Sequence, residues 1–297
     1  MLAFLPAPLR GFIASVLLGI NTIFWCFLLY IPALLKLIPI PVWQKACTRL
    51  IILISEAWVT CNSGWMRLTQ PTRWEVTGLE GLKYEGWYLV ISNHQSWVDI
   101  FALQHILTRR IPFLKFFIKK ELIWVPVIGL AWWGLDFPFM TRSTPEQIAK
   151  NPALKGKDIE ATRKACEKFR TTPVSVMNFI EGTRFTEGKH GRQNSPYANL
   201  LKPKLGGTGF VLSTMGDYLH TMLDVTLYYP DGRPGLWEFM CGKVKRIQVD
   251  IEKVEIPAEF RGKDPDADEF RLAFKSWMEA RWQTKDQKLS ALKNEKV

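Results

Sequence analysis

Two short motifs in this chain carry side chains that could act together in catalysis. His94 and Asp99 form the first motif, and Glu181 and Arg184 belong to the second, which begins 87 positions later. A histidine beside a carboxylate can take a proton from a hydroxyl group, because the carboxylate fixes the ring tautomer and makes the second nitrogen more basic. An arginine can bind a phosphate through two parallel hydrogen bonds. The two motifs predict a site that deprotonates a hydroxyl group on a phosphorylated substrate.

The first motif lies between a strand-like and a helix-like segment. Residues 87–92 predict a strand and residues 96–108 predict a helix, so His94 lies in the connecting loop. α/β proteins bind ligands at this end of their strands. Asp99 has a structural alternative, because Ser96-x-x-Asp99 also matches a helix capping box. In that alternative His94 is an ordinary loop histidine.

The second motif follows another predicted buried strand, residues 174–180. Gly182 allows a positive φ angle or a close approach of the backbone. Arg184 is suited to hold a phosphate, and Glu181 to hold a substrate hydroxyl group or to orient the arginine. Thr183 lies between Gly182 and Arg184, and we expect it to bind substrate with them. The alternative is a surface turn with a local ion pair, which contributes little to stability.

An apolar, Trp-rich segment separates the two motifs. Residues 122–139 carry a single charge, Asp136, and Lys119 and Arg142 lie at the two ends of the segment. We expect a hydrophobic wall at a bilayer surface, with a cation at each end. The alternative is a core helix whose flanking cations reach out to solvent.

The amino-terminal region predicts two membrane-associated helices. Residues 11–35 contain no charged side chain, and about 20 apolar residues suffice to cross a bilayer. A second helical pattern with one narrow polar stripe covers residues 42–68. Basic residues flank both ends of the first helix, so a spanning helix and a re-entrant or interfacial hairpin fit equally well. The alternative is a pair of buried helices in a soluble core.

Beyond Pro71, strand-like and helix-like segments alternate, which favours an α/β domain. We expect membrane-associated helices at 1–70, one catalytic domain at 71–285 and a polar, frayed tail at 286–297. Further segments predict strands at 74–76, 223–229 and 247–251, a helix at 159–170, and a helix that starts at Asp264-Pro265.

Composition narrows the class of partner. The formal charge of +11 creates a positive field, which suits anionic lipid or a phosphorylated substrate. Nucleic acid is disfavoured, because the basic residues are dispersed and no nucleic-acid motif accompanies them. The five cysteines form no CxxC pair, which argues against a disulfide framework or a zinc site and favours a reduced, cytoplasm-facing protein.

The motifs resemble those of the 1-acyl-glycerol-3-phosphate acyltransferase family, also called the lysophosphatidic acid acyltransferase or PlsC-like family. Four blocks occur in the order that this family shows. They are Asn93-His94-x4-Asp99, Lys119-x-Glu121-Leu122 followed by Phe139-x-x-Arg142, Phe179-Ile180-Glu181-Gly182-Thr183-Arg184, and Asp224-Val225-Thr226-Leu227-Tyr228-Tyr229-Pro230. The fourth block departs from the Val-Pro-like strand that is usual in the family, which leaves the acyl pocket and substrate detail open.

The resemblance implies an α/β fold: a single acyltransferase domain with a central mixed sheet flanked by helices, preceded by an N-terminal two-helix membrane-associated hairpin. It implies transfer of a fatty acyl group from acyl-CoA or acyl-carrier protein to the sn-2 hydroxyl group of lysophosphatidic acid. His94 would be the general base and Asp99 its orienting residue. The glycerol phosphate would be held by Lys119, Arg142, Glu181, Gly182, Thr183 and Arg184. No metal or bound cofactor is required.

The expected partners are a lysophospholipid, an acyl thioester, the lipid bilayer and acyl-carrier protein, with no nucleic acid. The expected location is the bacterial inner membrane, with the catalytic domain on the cytoplasmic face. Two alternative functions stay open. One is acylation of glycerol-3-phosphate or of a lysophospholipid with a larger head group. The other is a lipid-binding scaffold with the same fold and no enzymatic activity.

Overall fold

The computed structural model describes residues 2–140, 169 and 172–295. Its α-helices are α1 (Ala7–Leu35), α2 (Pro41–Thr69), α3 (Val98–Leu107), α4 (Ile128–Gly134), α5 (Glu187–Gln193), α6 (Gly206–Met215), α7 (Leu236–Met240) and α8 (Asp268–Asn294). Its strands are β1 (Arg73–Thr77), β2 (Tyr88–Ser92), β3 (Leu114–Phe116), β4 (Ile118–Lys119), β5 (Phe139–Met140), β6 (Ser175–Phe179), β7 (Thr221–Tyr228) and β8 (Arg246–Glu255).

The central sheet is mixed, with the strand order β1-β8-β7-β2-β6-β3. Strand β7 is antiparallel to β8, and the other neighbouring strands are parallel. Strands β4 and β5 form a separate two-stranded parallel sheet. The predicted α/β fold with a mixed sheet and flanking helices is confirmed.

Strand β2 lies at the centre of the sheet and is buried along its whole length. Its side chains alternate between two hydrophobic clusters, because successive residues of a strand point to opposite faces. Leu89 and Ile91 pack in the cluster that contains residues of α6 and α8, whereas Val90 packs with residues of α3. A strand covered on both faces is apolar throughout, which is why the sequence predicts it well.

The register of β2 determines which loops meet beyond its carboxyl end. Tyr88 is level with Ser175 of β6, an offset of 87 positions. His94 and Glu181 are separated by the same 87 positions, so the loops after these two strands come level with each other. On its other side β2 pairs with β7, where Tyr88 is level with Thr221.

The predicted strands agree with the observed ones to within two residues, apart from the longer β8, but two expectations about the carboxyl-terminal region are wrong. Helix α8 begins at Asp268 and not at Asp264, because an Asp264 carboxylate oxygen accepts the N–H of Asp266 in a turn before the helix. The expected frayed tail is helical as far as Asn294. The Asp286 carboxylate accepts the backbone N–H groups of Ala198 and Asn199, which fixes this part of the helix to the domain. The helix predicted at 159–170 lies outside the described residues, apart from Phe169.

Helices α1 and α2 pack together as the expected hairpin. The Asn21 amide of α1 donates to the Asn62 side chain of α2 at 2.8 Å. At its amino-terminal end, Arg10 donates to the backbone oxygen of Cys241 at 2.7 and 2.9 Å, and at the other end Lys36 pairs with Asp136. The hairpin is therefore fixed to the rest of the chain at both ends of α1.

Helix α1 is long and apolar enough to cross a membrane, and 17% of its most apolar 18-residue window is buried. Large apolar side chains along it are exposed, among them Phe12, Ile20 and Phe27, each about 60% accessible. Exposed apolar surface of this extent marks an interaction site for lipid or protein. The hairpin is therefore not a pair of buried helices.

The apolar segment 122–139 does not form one helix. It consists of the end of a 3-10 helix at Lys120–Trp124, then α4, then β5, and Val127 between the two helices has a φ of 67°. Ala131 of α4 packs against the hairpin, whereas Trp124 is 85% exposed. The alternative of a single core helix is wrong.

Candidate active site

His94 and Asp99 are in direct contact. His94 follows β2, Asp99 lies in the first turn of α3, and the distance from His94 Nδ1 to Asp99 Oδ2 is 2.8 Å. Because a carboxylate only accepts hydrogen bonds, Nδ1 carries the proton and Nε2 is left as the basic nitrogen. Asp99 is fully buried and the His94 side chain is 13% exposed. This geometry is that of an oriented general base.

The Asp99 carboxylate also binds the backbone of the loop before α3. Its Oδ2 accepts the backbone N–H groups of Gln95 and Ser96 at 2.6 and 2.9 Å. Its Oδ1 accepts the hydroxyl group of Tyr229 at 2.5 Å. One carboxylate therefore orders both the loop backbone and the imidazole, and the catalytic interpretation stays a prediction.

The ring of Phe179 lies against the His94 imidazole. Their centroids are 3.9 Å apart and their planes differ by 14°. Phe179 is the last residue of β6, and Phe116 of β3 stacks with it in turn at 6.3 Å. Phe179 belongs to the second motif, but its contact with the histidine could not be predicted from the sequence.

Glu181 joins three parts of the chain. Its Oε1 accepts the backbone N–H of His94 at 2.7 Å, and its Oε2 accepts the backbone N–H of Leu201 at 3.1 Å. The side chain is fully buried. Burial raises the pKa of Glu181 to about 7, against the two backbone hydrogen bonds and the charge of Lys285, which lower it. Glu181 thus holds the backbone of the site, and its expected contact with the substrate stays a prediction.

A second backbone contact joins the two motifs. The N–H of Phe185 donates to the carbonyl oxygen of His94 at 2.8 Å. His94 is therefore bound through its N–H and its carbonyl group to the loop that follows β6. Its position depends on the second motif as much as on the strand that precedes it.

Gly182 and Thr183 shape the turn after β6. Gly182 has a φ of 68°, which favours glycine, and a Cβ atom there would lie 3.0 Å from the Lys204 side chain. Lys189 of α5 donates to Thr183 Oγ1 at 2.7 Å and to the carbonyl oxygen of Arg184 at 2.9 Å. Lys189 and Lys204 are cations beside the second motif that the sequence interpretation missed, because both lie outside it.

Arg184 lies on the same side as the histidine loop. Its guanidinium carbon is 4.1 Å from the centroid of the Trp97 ring, a cation–π contact. Trp97 precedes α3 by one residue and is 51% exposed. The arrangement places a guanidinium beside the loop that carries His94.

Residues 73–214 match the family model described as Acyltransferase. This part of the chain is similar to the acyltransferase family. An uncharacterized acyltransferase of Schizosaccharomyces pombe is 25% identical over 234 residues, which are 69% of this chain and 59% of that protein. Mouse 1-acyl-sn-glycerol-3-phosphate acyltransferase delta is 28% identical over 212 residues, which are 67% of this chain and 51% of that protein. The chain spans just over half the length of these curated relatives.

A solved acyltransferase shares the fold. The crystal structure of the 1-acyl-sn-glycerophosphate (LPA) acyltransferase, PlsC, from Thermotoga maritima aligns with a TM-score of 0.56 at 17% identity. The alignment covers 96% of this chain and 95% of that chain. The likeness therefore extends over the amino-terminal hairpin as well as the sheet.

Two expected substrate-binding residues lie apart from the central sheet or outside the described residues. Lys119 is exposed on β4, which pairs with β5 and not with the central sheet. Arg142 lies outside the described residues. The role of both cations stays a prediction.

The described residues contain no group of three or more His, Cys, Asp or Glu side chains that could hold a metal ion. Glu187 and the other acidic groups near the second motif take part in ion pairs or backbone hydrogen bonds, as in the Arg233–Glu187 pair at 3.0 Å. The expectation that no bound cofactor is needed stays a prediction.

Proposed function

We propose that this acyltransferase moves a fatty acyl group from an acyl thioester to the sn-2 hydroxyl group of lysophosphatidic acid, giving phosphatidic acid. The observation that carries the proposal is the 2.8 Å contact between His94 and Asp99 in a loop that also meets Arg184 through Trp97. A base and a phosphate-binding cation would then lie on two sides of one substrate site. The mouse relative is a 1-acyl-sn-glycerol-3-phosphate acyltransferase, and its 28% identity to this chain supports the same acceptor.

The proposed reaction is direct transfer without an acyl-enzyme. Nε2 of His94 takes the proton of the acceptor hydroxyl group while the oxygen of that hydroxyl group attacks the thioester carbonyl carbon. The C–S bond then breaks, and the leaving thiolate takes the proton from the imidazolium. Asp99 stabilises the imidazolium between these two steps, as the buried aspartate does in Ser-His-Asp triads.

Arg184 is proposed to hold the phosphate of the acceptor. Its guanidinium offers two parallel donors, and stacking on Trp97 leaves its edge free to point at an anion. Gly182 and Thr183 would supply the turn around the phosphate. Lys119 and Arg142 would add positive charge, as the family resemblance implies.

The acceptor is proposed to enter from a membrane. The exposed apolar face of α1 and the exposed Trp124 supply surface for contact with lipid. The proposed location is the bacterial inner membrane with the catalytic domain on the cytoplasmic face, where acyl-CoA and acyl-carrier protein are available as donors. The hairpin would bring the site to the level of the lipid head groups.

Thiol release by purified protein in detergent tests the proposal. Oleoyl-CoA and acyl-carrier-protein thioesters serve as donors. Lysophosphatidic acid, glycerol-3-phosphate and lysophospholipids with larger head groups serve as acceptors. Fastest release with lysophosphatidic acid is expected. Faster release with another acceptor would replace the proposed substrate. Binding of lysophosphatidic acid without release for any pair would favour the lipid-binding scaffold.

A further inference from the structure

Tyr229 lies in the fourth sequence block, which departs from its family's usual pattern, and immediately follows β7. Strands β7 and β2 are parallel neighbours, so the residues that follow them reach the same edge of the sheet. The Tyr229 hydroxyl group donates to Asp99 Oδ1 at 2.5 Å, and its side chain is buried. The mechanism above makes no use of this residue.

The two oxygens of Asp99 differ in their partners. Oδ2 accepts hydrogen bonds from His94 Nδ1 and from the backbone N–H groups of Gln95 and Ser96. Oδ1 accepts the one from Tyr229. Because Asp99 is fully buried, water does not replace that donor. The phenol therefore fixes the rotation of the Asp99 carboxylate. It also competes with the His94 imidazole for the negative charge of that carboxylate.

The phenol is suited to remain a donor. Burial, together with the charge of Asp99 and the hydrogen bond to it, raises the pKa of Tyr229 well above its usual value. The hydroxyl group keeps its proton throughout the range in which a histidine titrates. Its hydrogen bond to Asp99 is consequently present whenever His94 changes its protonation state.

We propose that Tyr229 is a positioning residue which acts through Asp99 and limits the basicity of His94. The kinetic test of this inference rests on the proposed function, whereas the titration of His94 does not. The other titratable groups that face His94 and its carboxylate are Glu181, from the loop after β6, and Lys285 of α8, whose charge acts on Glu181. Neither contacts Tyr229 in the described residues, so a substitution of the tyrosine leaves them in place.

The Tyr229→Phe variant tests the proposal. Loss of the donor leaves the full carboxylate charge facing the imidazole, so the His94 titration moves to higher pH. The acidic limb of the kcat/KM profile moves in the same direction. At pH 7 we expect kcat to fall about tenfold. This loss is smaller than the rate enhancement of about 100-fold or more that a general base contributes, because His94 is still present. KM for the acceptor should change less than about twofold, since Tyr229 is buried and acts through Asp99.

Tyr228→Phe is the matched control. Tyr228 is the preceding residue on β7 and packs towards the opposite cluster of the sheet, so its hydroxyl group is remote from Asp99. This variant should keep the wild-type profile. A shift that is the same in both variants would mean that any lost tyrosine hydroxyl group on β7 perturbs the site, and would overturn the proposal.

Nitrogen NMR of the four histidines measures the His94 titration without turnover, and the His94→Ala variant assigns its signal. If wild-type protein transfers no acyl group, the proposed function fails while this titration still decides the role of Tyr229. A folded Tyr229→Phe protein with the wild-type His94 titration would overturn the proposal. If that variant does not fold, a fluorotyrosine at position 229 is a stronger donor and should move the titration to lower pH. An unchanged titration there would equally overturn it.

Discussion

The backbone N–H of His94 donates to Glu181 Oε1 at 2.7 Å, so the histidine of one motif is held by the carboxylate of the other. Glu181 holds Leu201 through its second oxygen, and the Leu201 carbonyl group accepts the indole N–H of Trp282 on α8. The carboxyl-terminal helix is therefore connected to the histidine loop through three hydrogen bonds and one buried carboxylate.

Glu181→Ala should destabilise the fold and abolish activity together. The N–H groups of His94 and Leu201 would be buried without an acceptor, and each such group costs about 1–3 kcal/mol. We expect the free energy of unfolding to fall by about 2–5 kcal/mol, measured by denaturant titration in detergent. Glu187→Ala is the control, because that side chain is 80% exposed. Equal stability of the two variants would contradict the bridging role of Glu181.

The pH dependence of stability should carry the signature of the Glu181 carboxyl group. Its pKa is raised from 4.5 to about 7, so the folded protein holds this proton more tightly than the unfolded chain does. Stability therefore falls as the pH rises from about 4.5 to about 7, by roughly 3 kcal/mol at most. Glu181→Gln, which cannot titrate, should lack this decrease. Parallel curves of stability against pH for wild type and Glu181→Gln would rule out Glu181 as the group responsible.

Arg184→Lys should weaken binding of the acceptor more than it slows the reaction. The substitution keeps the charge but loses the two parallel donors and the flat stacking on Trp97. We expect KM for lysophosphatidic acid to rise about tenfold or more, equivalent to about 1.4 kcal/mol. Arg192→Lys on α5 is the control, since Arg192 is exposed and donates to its own helix. A monoacylglycerol acceptor, which lacks the phosphate, should not distinguish Arg184→Lys from wild type. If it did, Arg184 would not be the phosphate ligand.

The exposed face of α1 should govern membrane binding. Replacing Phe12, Ile20 and Phe27 together by Ser removes apolar surface that is about 60% exposed at each position. At about 25 cal/mol per Å² of apolar area, vesicle binding should fall by at least about 100-fold. Leu272→Ser is the control, because Leu272 is 71% exposed on α8, away from the hairpin. Unchanged flotation of the triple variant with vesicles would exclude this face as the membrane contact.

Local contacts of the site could be predicted from the sequence, whereas contacts between strands could not. His94 and Asp99 are five positions apart in a strand–loop–helix segment, so their spacing was sufficient to predict the contact. The contacts of Glu181 with His94 and of Tyr229 with Asp99 depend on the register of β2 with β6 and β7. No periodicity in the sequence specifies a register between parallel strands so far apart in the chain. The contact of Arg184 with Trp97 was missed for the same reason.

The apolar pattern predicted the existence of the main elements and was less accurate at their ends. Strand β2 and helix α1 are long apolar runs, so both were predicted nearly in full. The break at Val127 and the start of α8 at Asp268 depend on turns of a few residues, which hydrophobicity does not specify.

Formation of phosphatidic acid from lysophosphatidic acid and oleoyl-CoA, followed by mass spectrometry, tests the central claim most directly. The comparison is between wild type, His94→Ala and His220→Ala, with folding of each checked by thermal unfolding. His220 is an exposed histidine that contacts Arg261 and not the motifs. We predict product from wild type and His220→Ala, and a loss of at least about 100-fold for folded His94→Ala. Product formation by His94→Ala at the wild-type rate would contradict the assignment of His94 as the general base.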